Sequence, residues 1–470
     1  MGQKNSKTED YVIYVKTGDK KGAGTDGNIF VSLIDEAGAR TRDLELDTLW
    51  KDDFEAGNTD SFPVSDCPDF KHIAKLDIWR DNTRANDNWY VDKVVVERSK
   101  DKDQSVFPIH RWIPANFRIQ IQEFDCVLPQ HDNNPEQRKK ELVQKQEIYK
   151  LKVRNDGLSA QILEMPADES FSNDYKWDIQ KTKLKLGISA KVIASMTGKF
   201  KTLDSIEHMY GSTFPVPYGL ENWRSDVEFG SQRLTGCNPV SICLCREIPN
   251  NFPVAPGMVE PFLEEQTLKN CLDNKRIYIV DFKILEDLEC TNNRTVCASL
   301  GLFYVNNRQK LMPIAIQLHQ TPSDTNPIFL PSDPEYTWML AKMWFNNSDS
   351  CYHQAAVHLG FTHLMLEFVA VVTHRQLSPS HPLFRLLAPH FLYLIAINTL
   401  ALNKLVSPGG WLDKTMTMGS TGLFNIVKRT RSKWRLDREG TFPRDIKNRG
   451  VDDADALPNY HYRDDALLVY

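Results

Sequence analysis

The chain has 470 residues, of which 41% are hydrophobic and 25% are charged, and this composition excludes a disordered or a fibrous protein. The formal net charge of -5 provides no overall positive field, so we expect no nucleic-acid partner. The best apolar run, residues 391–402, is well short of the roughly 20 residues that cross a bilayer, and it predicts a buried core helix. The nine scattered cysteines predict reduced thiols in a cytoplasmic protein.

The first six residues, MGQKNS, match the N-myristoylation pattern M-G-x-x-x-[ST], which makes Gly2 a candidate lipidation site. Lys4 and Lys7 would add attraction to anionic lipid. A chance match is the alternative, because Gly and Ser are both common at these positions. One myristoyl chain binds a membrane only marginally, with an association constant of about 10⁴ M⁻¹, so peripheral membrane association would need a second contact.

Residues 10–125 carry the signals of a β-sandwich. The runs 11–15, 29–34, 89–96 and 117–122 are rich in β-branched and aromatic residues, and turn residues separate them. Phe117, Ile119 and Ile121 alternate with polar residues, as in a strand with one buried face. We therefore predict an all-β domain with several short strands.

Residues 126–202 are predicted to form a linker and the start of a second region, with a charged helix or linker at 135–152. From 203 to 470 the pattern favours helices with long loops, and short strands are predicted at 278–282, 302–305 and 311–318. A helix over 338–376 would be roughly 58 Å long. Its part 364–372 is apolar almost all round, which predicts burial on every side. A second apolar helix is predicted at 383–405.

The most informative feature is a histidine triplet, His353, His358 and His363, with steps of five residues. On a regular α-helix five residues turn the chain by about 500°, so successive rings would point about 140° apart. A π-turn adds one residue and brings such rings to the same side, and π-turns are frequent at functional sites. The triplet is therefore either a set of unrelated core histidines or a site for iron, copper or zinc. The zinc-protease motif H-E-x-x-H is absent.

An acidic loop in the sandwich region follows Trp50 and reads KDDFE. Asp52, Asp53 and Glu55 place three carboxylates within four positions, and hard oxygen ligands of this kind suit Ca²⁺. A solvated acidic turn is the alternative interpretation.

The segments around the triplet resemble the lipoxygenases of animals. The resembling segments are WxxAK from Trp338, SDSCYHQ from Ser348, HLxxTH from His358, Glu367, HPLFxLLxPH from His381 and AIN from Ala396. Further segments are WxxDxxFGxQxLxGxNP from Trp223, PIAIQ from Pro313, NPIF from Asn326 and YRDD from Tyr462. The resemblance covers nearly the whole chain from Tyr11, and its N-terminal part is similar to a PLAT (C2-like) domain.

The resemblance implies a multidomain fold, in which an all-β PLAT sandwich precedes a mainly α-helical lipoxygenase catalytic body. It implies that His358 and His363 ligate a non-haem iron and that His353 lies in the second shell around it. It also implies that Leu359, Ala401 and Leu405 line the channel for substrate and oxygen. Alanine at 401, where the family has Ala or Gly, accompanies S-configured products.

The activity implied is dioxygenation of polyunsaturated fatty acids of the arachidonate or linoleate type. A hydrogen atom leaves the methylene between two cis double bonds, and dioxygen then adds to give a hydroperoxide. Family members with a PLAT domain bind calcium near the acidic loop and contact membranes, which implies a cytoplasmic, peripherally membrane-associated protein. The neighbouring loop reads DKKG from Asp19, so charged residues replace the aromatic residues that other members insert into the bilayer.

Family members continue beyond the position of Tyr470 and supply further iron ligands there. We therefore expect the catalytic body to be incomplete, with little or no activity in the chain as it stands. The alternative is a non-catalytic fragment that binds lipid or membrane through the PLAT domain. A structural zinc protein that uses the triplet is a third hypothesis.

Overall fold

The N-terminal strands form two four-stranded antiparallel sheets. The computed structural model describes residues 10–20, 22–48, 52–83, 89–152, 158–166, 169–171, 176, 202 and 218–469. The eight strands are Tyr11–Thr17 (β1), Ile29–Asp35 (β2), Leu44–Leu46 (β3), Thr59–Val64 (β4), Ile73–Arg80 (β5), Trp89–Arg98 (β6), Gln104–Ile113 (β7) and Ile119–Gln122 (β8). One sheet has the order β4-β1-β6-β7 and the other β3-β2-β5-β8. The predicted β-sandwich is confirmed.

Alternating burial along the strands builds the core between the two sheets. In β1 every second residue from Tyr11 is buried, and its neighbours are half-exposed. Trp89 is fully buried, packs edge-on against Phe54, and donates its indole N–H to the Thr17 hydroxyl at 3.1 Å. Because the indole N–H has a partner, this large ring can be buried without an unsatisfied donor.

The sandwich belongs to a unit that also contains residues 366–399, far along the chain. Its other elements include the helix Pro135–Ile148 (α1) and the short strand pair Leu151–Lys152 (β9) and Gln161–Ile162 (β10). The charged helix predicted at 135–152 is therefore confirmed and ends earlier. The predicted boundary at 203 differs from the observed grouping, because tertiary contacts rather than chain order decide which segments pack together.

A buried carboxylate connects the distant segments of this first unit. The side chain of Asp125 has no exposed surface, and its oxygens lie 3.4 Å from Arg111 Nη1, 3.2 Å from Arg138 Nη2 and 3.5 Å from Arg385 Nη2. The Ser380 hydroxyl donates to the same carboxylate at 2.5 Å. A buried charge with this many partners is stabilised where an isolated one would not be.

The second unit combines one small sheet with most of the helices. Its sheet has the order β11-β12-β13-β14, with strands Ile242–Leu244 (β11), Ile277–Asp281 (β12), Leu300–Val305 (β13) and Leu311–Gln317 (β14). Its shorter helices are Tyr218–Asn222 (α2), Asp226–Thr235 (α3), Pro256–Val259 (α4), Leu268–Asp273 (α5), Trp411–Thr415 (α10), Gly419–Lys433 (α11), Phe442–Arg449 (α12) and His461–Val469 (α13). The three predicted strands are confirmed, with Pro313 in the edge strand β14.

One long helical segment contains the histidine triplet. It begins with Glu335–Tyr352 (α6), continues as the π-helix His353–Leu364 and ends with Met365–Gln376 (α7). The predicted long helix is confirmed. The prediction of burial on every side is wrong, because Leu366, Phe368 and Val369 are each at least about one-third exposed. Among the described residues, other parts of the protein pack against only one side of α7. That side carries Glu367, Ala370, Val371 and Thr373.

The second apolar helix, predicted at 383–405, is broken into several pieces. They are Pro382–Leu387 (α8), the 3₁₀ turn Ala388–Phe391, Leu394–Leu400 (α9) and the π-turn Ala401–Leu405. Pro389 lies in the 3₁₀ turn, and Tyr393 adopts a positive φ of 60°. A left-handed residue cannot continue a right-handed helix, so α9 begins afresh after it.

Two helical segments, Glu335–Gln376 and Pro382–Leu405, are long enough and apolar enough to cross a membrane, by length and composition only. Core helices of globular proteins reach them as well. The first segment contains the buried and hydrogen-bonded carboxylate of Glu367, and the second is interrupted at Tyr393. Both features are typical of helices in a globular domain.

A glycine allows α3 to approach β14 closely. A Cβ atom on Gly230 would lie only 1.8 Å from the carbonyl oxygen of Leu311, which is far inside contact distance. The obstacle is backbone rather than a side chain that could rotate away. This close approach explains the glycine after Phe229 in physical terms.

We predict that Gly230→Ala lowers the free energy of unfolding by about 2–4 kcal/mol, because α3 and β14 must move apart. Gly257 in α4 is the matched control, since no atom lies within 4 Å of its added Cβ. Gly257→Ala should be neutral or stabilise by up to about 1 kcal/mol. Urea unfolding of the two variants measures both effects, and equal midpoints would contradict the close-packing explanation.

Candidate metal centre

The π-helix brings two of the three histidine rings together. His358 and His363 lie in the segment His353–Leu364, and their Nε2 atoms are 3.1 Å apart. The ring centroids are 4.7 Å apart and the ring planes are at 76°. A regular helix would point the two rings in different directions, so the wider winding produces the pair.

The ring of His358 is held on its other side. Its Nδ1 lies 3.2 Å from the amide oxygen of Gln354, which leaves Nε2 directed at His363. Burial, followed by the proximity of His363 and His353, lowers the pKa of His358 below its ordinary value. The ring is therefore neutral at pH 7, and neutral imidazole is the form that binds metal ions.

The geometry of the pair fits two ligands of one metal ion. For metal–nitrogen bonds of about 2.1 Å, two ligands at a right angle are about 3.0 Å apart. The observed separation of 3.1 Å agrees with this value. The donor set, two imidazole nitrogens, suits iron, copper or zinc. His358 and His363 are thus the residues that would hold the metal, with the remaining positions left to other ligands.

His353 lies beside the pair but at a greater distance. Its ring is parallel to that of His358, with 6.1 Å between centroids. Burial lowers the pKa of His353, while the carboxylate of Asp349 and a hydrogen bond to the backbone of Cys237 act in the opposite direction. The ring of His353 does not reach the two Nε2 atoms of the pair. This distance agrees with a position beside the metal ligands and not among them. Its role in the second shell stays a prediction.

Sequence reasoning missed a buried polar network under the triplet. Asp349 forms an ion pair with Arg233, with 2.9 Å to Nη1, and accepts a hydrogen bond from the amide of Asn238 at 2.6 Å. Arg233 also donates to the Asn346 side chain at 2.9 Å. The network fixes α6 one turn before His353. The residues are more than a hundred positions apart in the chain, so no local pattern announces the contact.

A second such contact explains two of the sequence motifs. The carboxylate of Asp226 accepts from the indole of Trp338 at 2.9 Å and from Lys342 Nζ at 2.6 Å. Lys342 is buried, so it depends on this partner. The Asp226 motif and the Trp338 motif are therefore two halves of one contact between α3 and α6.

The predicted channel residues differ in their surroundings. Leu359 is buried and belongs to the hydrophobic core of the second unit. Ala401 is half-buried at the start of the π-turn, and Leu405 at its end is exposed. The described residues enclose no channel around these three side chains, so their roles stay predictions.

Glu367, four positions after His363, has a different function. Its Oε1 accepts the backbone N–H of Ile162 at 2.9 Å, and its Oε2 accepts the amide of Asn398 at 2.7 Å. Both Glu367 and Asn398 are almost fully buried. The carboxylate therefore joins α7 to β10 and α9 within the first unit.

The acidic loop forms a cluster that differs from the prediction at one position. Carboxylate oxygens of Asp26, Asp52 and Glu55 all lie within 4.8 Å of one another, and all three residues are exposed. Asp53 lies apart from this trio, because it is buried and accepts the backbone N–H of Thr48 at 2.8 Å. The sequence missed Asp26, which comes from another loop.

Several predicted residues lie outside the described part of the chain. They are the lipidation candidate Gly2 and the loop residues Lys21, Trp50 and Lys51. Myristoylation of Gly2 therefore stays a prediction. Lys20, by contrast, is described, and its Nζ lies over the Tyr90 ring at 4.8 Å from the centroid.

Comparison with family models assigns both parts of the chain. Residues 179–463 match the lipoxygenase family model, and residues 11–119 match the PLAT/LH2 domain model. The order of the two matches agrees with the observed sandwich and helical body.

Several curated proteins are similar over nearly all of this chain. The allene oxide synthase-lipoxygenase protein of Plexaura homomalla is 31% identical over 98% of this chain and 46% of its own length. Polyunsaturated fatty acid lipoxygenase ALOX8 of Mus musculus is 32% identical over 97% of this chain and 70% of its own length. The chain thus spans about half of the first relative and about two-thirds of the second.

Solved structures agree with this assignment. The crystal structure of coral 8R-lipoxygenase superposes on this chain with a TM-score of 0.84 at 32% sequence identity. The superposition includes 97% of this chain and 70% of the coral chain. A calcium-dependent 11R-lipoxygenase superposes with a TM-score of 0.83 at 32% identity, over 98% of this chain and 70% of its own. On the family match and these similarities, the chain belongs to the lipoxygenase family and carries an N-terminal PLAT domain.

Proposed function

We propose that the protein is a non-haem iron lipoxygenase that adds dioxygen to polyunsaturated fatty acids of the arachidonate or linoleate type. The observation that carries this proposal is the histidine pair, with Nε2 atoms 3.1 Å apart on a π-helix. Solved relatives include a lipoxygenase in complex with arachidonate. Iron would supply the one-electron redox couple by which a hydrogen atom is removed from the substrate.

The protein's own residues supply ligation and an apolar surrounding. His358 and His363 present imidazole nitrogen ligands, and Gln354 orients the first of them at 3.2 Å. Leu359 supplies buried hydrocarbon surface of the kind that excludes water from a substrate radical. The network of Arg233 and Asp349 holds α6 in place, and thereby the start of the π-helix.

Product chirality is a further part of the proposal. Ala401 begins the π-turn Ala401–Leu405 and is half-buried. Its methyl group would block one end of the substrate radical, so that oxygen adds with S configuration. The coral relative with a solved structure is named an 8R enzyme, which makes this position a useful point of comparison.

We propose that the PLAT domain docks on a membrane with calcium, and that the protein is cytoplasmic and peripherally membrane-associated. Asp26, Asp52 and Glu55 are the proposed calcium ligands, because their oxygens lie within 4.8 Å of one another. Two solved relatives are described as calcium-activated or calcium-dependent. Lys20 adds positive charge at the neighbouring loop.

A non-catalytic protein that binds lipid or membrane through the PLAT domain is the second candidate. It is favoured by the small number of protein ligands at the metal centre. Two imidazoles alone hold iron weakly, and the described residues supply no third ligand beside His358 and His363. Calcium-dependent vesicle binding without oxygen uptake would distinguish this candidate from the first.

We predict that the purified chain binds iron and that His363→Ala reduces iron occupancy at least about tenfold, because one of two ligand nitrogens is lost. Elemental analysis measures the occupancy, and oxygen uptake with linoleate measures turnover. His461→Ala is the control, since the His461 side chain is 61% exposed and lies outside the triplet. Stoichiometric zinc in place of iron, or equal iron in both variants, would contradict the proposal.

For Ala401→Gly we expect the product mixture to shift from S towards R hydroperoxide, because removal of the methyl group opens the blocked position to oxygen. Chiral chromatography of the products measures the ratio. An unchanged ratio in an active variant would exclude Ala401 as the determinant.

Asp26→Asn and Asp52→Asn should each weaken calcium binding roughly tenfold, because each removes one charged ligand. Asp53→Asn is the matched control: it should leave calcium affinity within about twofold, because Asp53 binds the Thr48 backbone instead. Calorimetric titration with Ca²⁺ measures all three. Strong loss in Asp52→Asn and Asp53→Asn, with none in Asp26→Asn, would show instead that the ligands are those predicted from the sequence.

A further inference from the structure

The first unit contains a cavity of about 1130 Å³ that the proposed reaction does not use. Its wall is formed by strands β6 and β7 of the sandwich, by helix α1 and by the segment 379–393. None of the triplet histidines and none of the predicted channel residues lines it. Its volume is sufficient for a ligand with a long hydrocarbon chain.

Much of the cavity wall is hydrocarbon. The apolar lining residues include Phe117, Ile119, Val143, Phe384, Phe391 and Leu392. Val143 and Leu392 are 55% and 64% exposed, although both are large apolar residues. Exposed apolar surface in a concave site is typical of a binding surface for an apolar ligand.

One region of the wall carries positive charge. Lys20 lies over the ring of Tyr90, with its Nζ 4.8 Å from the ring centroid. Arg385 donates through Nη2 to the carbonyl oxygen of Pro108 at 2.9 Å, but its Nε and Nη1 have no acceptor among the described residues. Both residues therefore retain donor capacity that an anion could use.

A histidine and an aspartate face each other in the same region. Burial, and then Arg385, Arg111, Lys20 and Lys93, lower the pKa of His110 to about 4. The facing carboxylate is Asp92, whose oxygen is 3.8 Å from His110 Nδ1. Burial raises the pKa of Asp92, so the surroundings disfavour its negative charge, although Lys16, Lys20 and Lys93 act in the opposite direction.

The other acidic residues on the wall already have partners. Glu141 accepts from Arg111 at 2.9 Å, and Glu147 pairs with Lys150 at 2.7 Å. Glu169 accepts from the Tyr149 hydroxyl at 2.6 Å, and His374 lies 3.6 Å from the same oxygen. These carboxylates are therefore already compensated.

We propose that this cavity binds the anion of an unbranched long-chain fatty acid, with its carboxylate near Lys20 and Arg385 and its chain along the apolar wall. A small inorganic anion would leave the hydrocarbon surface uncovered, and a neutral lipid would leave the remaining N–H donors of Lys20 and Arg385 unused. The site is separate from the histidine pair. It requires neither the metal nor the reaction proposed above.

Oleate tests the proposal directly, because it has one double bond and no methylene between two double bonds. Calorimetric titration of the full chain, below the micelle concentration, should show saturable binding of one oleate. Ala388→Trp should weaken it at least tenfold, since Ala388 lines the cavity and an indole would fill it. Lys20→Glu should weaken it about fivefold. Methyl oleate, which lacks the charge, should bind at least fivefold more weakly than oleate.

Three control variants distinguish loss of this site from a general effect of the substitutions and from loss of the metal site. Ala37→Trp and Lys140→Glu make the same changes at exposed positions outside the cavity and should leave oleate affinity unchanged. His363→Ala should also bind oleate normally, so that failure of the metal site and failure of this site can be told apart. If Ala388→Trp does not fold, as judged by its thermal unfolding, Lys20→Glu decides the result. Wild-type oleate affinity in Lys20→Glu, or equal affinity for the methyl ester, would overturn the proposal.

Discussion

The structure depends on a local widening of one helix. Histidines five positions apart can face one metal ion only if the backbone takes more residues per turn than an α-helix does. The segment His353–Leu364 does so over 12 residues, and the Nε2 atoms of His358 and His363 meet at 3.1 Å. The rest of the second unit supports this segment: Asp349 is anchored by Arg233 and Asn238, and Asp226 holds α6 through Trp338 and Lys342.

Sequence reasoning found the elements whose signal is local. The alternating pattern at 117–122, which contains β8, and the long helix follow from residues close together in the chain. The π-turn at the triplet was one of two interpretations of the residues, and the family resemblance favoured it. The Asp226 and Asp349 contacts could not be predicted in this way, because their partners lie over a hundred positions away. Asp26 was missed for the same reason, since it comes from a different loop than Asp52 and Glu55.

Where sequence reasoning failed, backbone conformation or solvent exposure explains the failure. The helix predicted at 383–405 breaks because Tyr393 takes a left-handed conformation, which no property of a tyrosine indicates. The exposed faces of Leu366 and Phe368 could not be predicted from hydrophobicity, because a strongly apolar stretch does not specify which of its sides is covered.

Both units present features suited to lipids. The first unit combines an acidic trio, a charged loop and an amphipathic cavity, and the second holds the histidine pair. The most direct test of the account is X-ray absorption at the iron edge of the iron-loaded chain. It should show imidazole nitrogens at about 2.1 Å, with one fewer in His358→Ala. Identical spectra for the two proteins would show that the pair on the widened helix does not bind the metal.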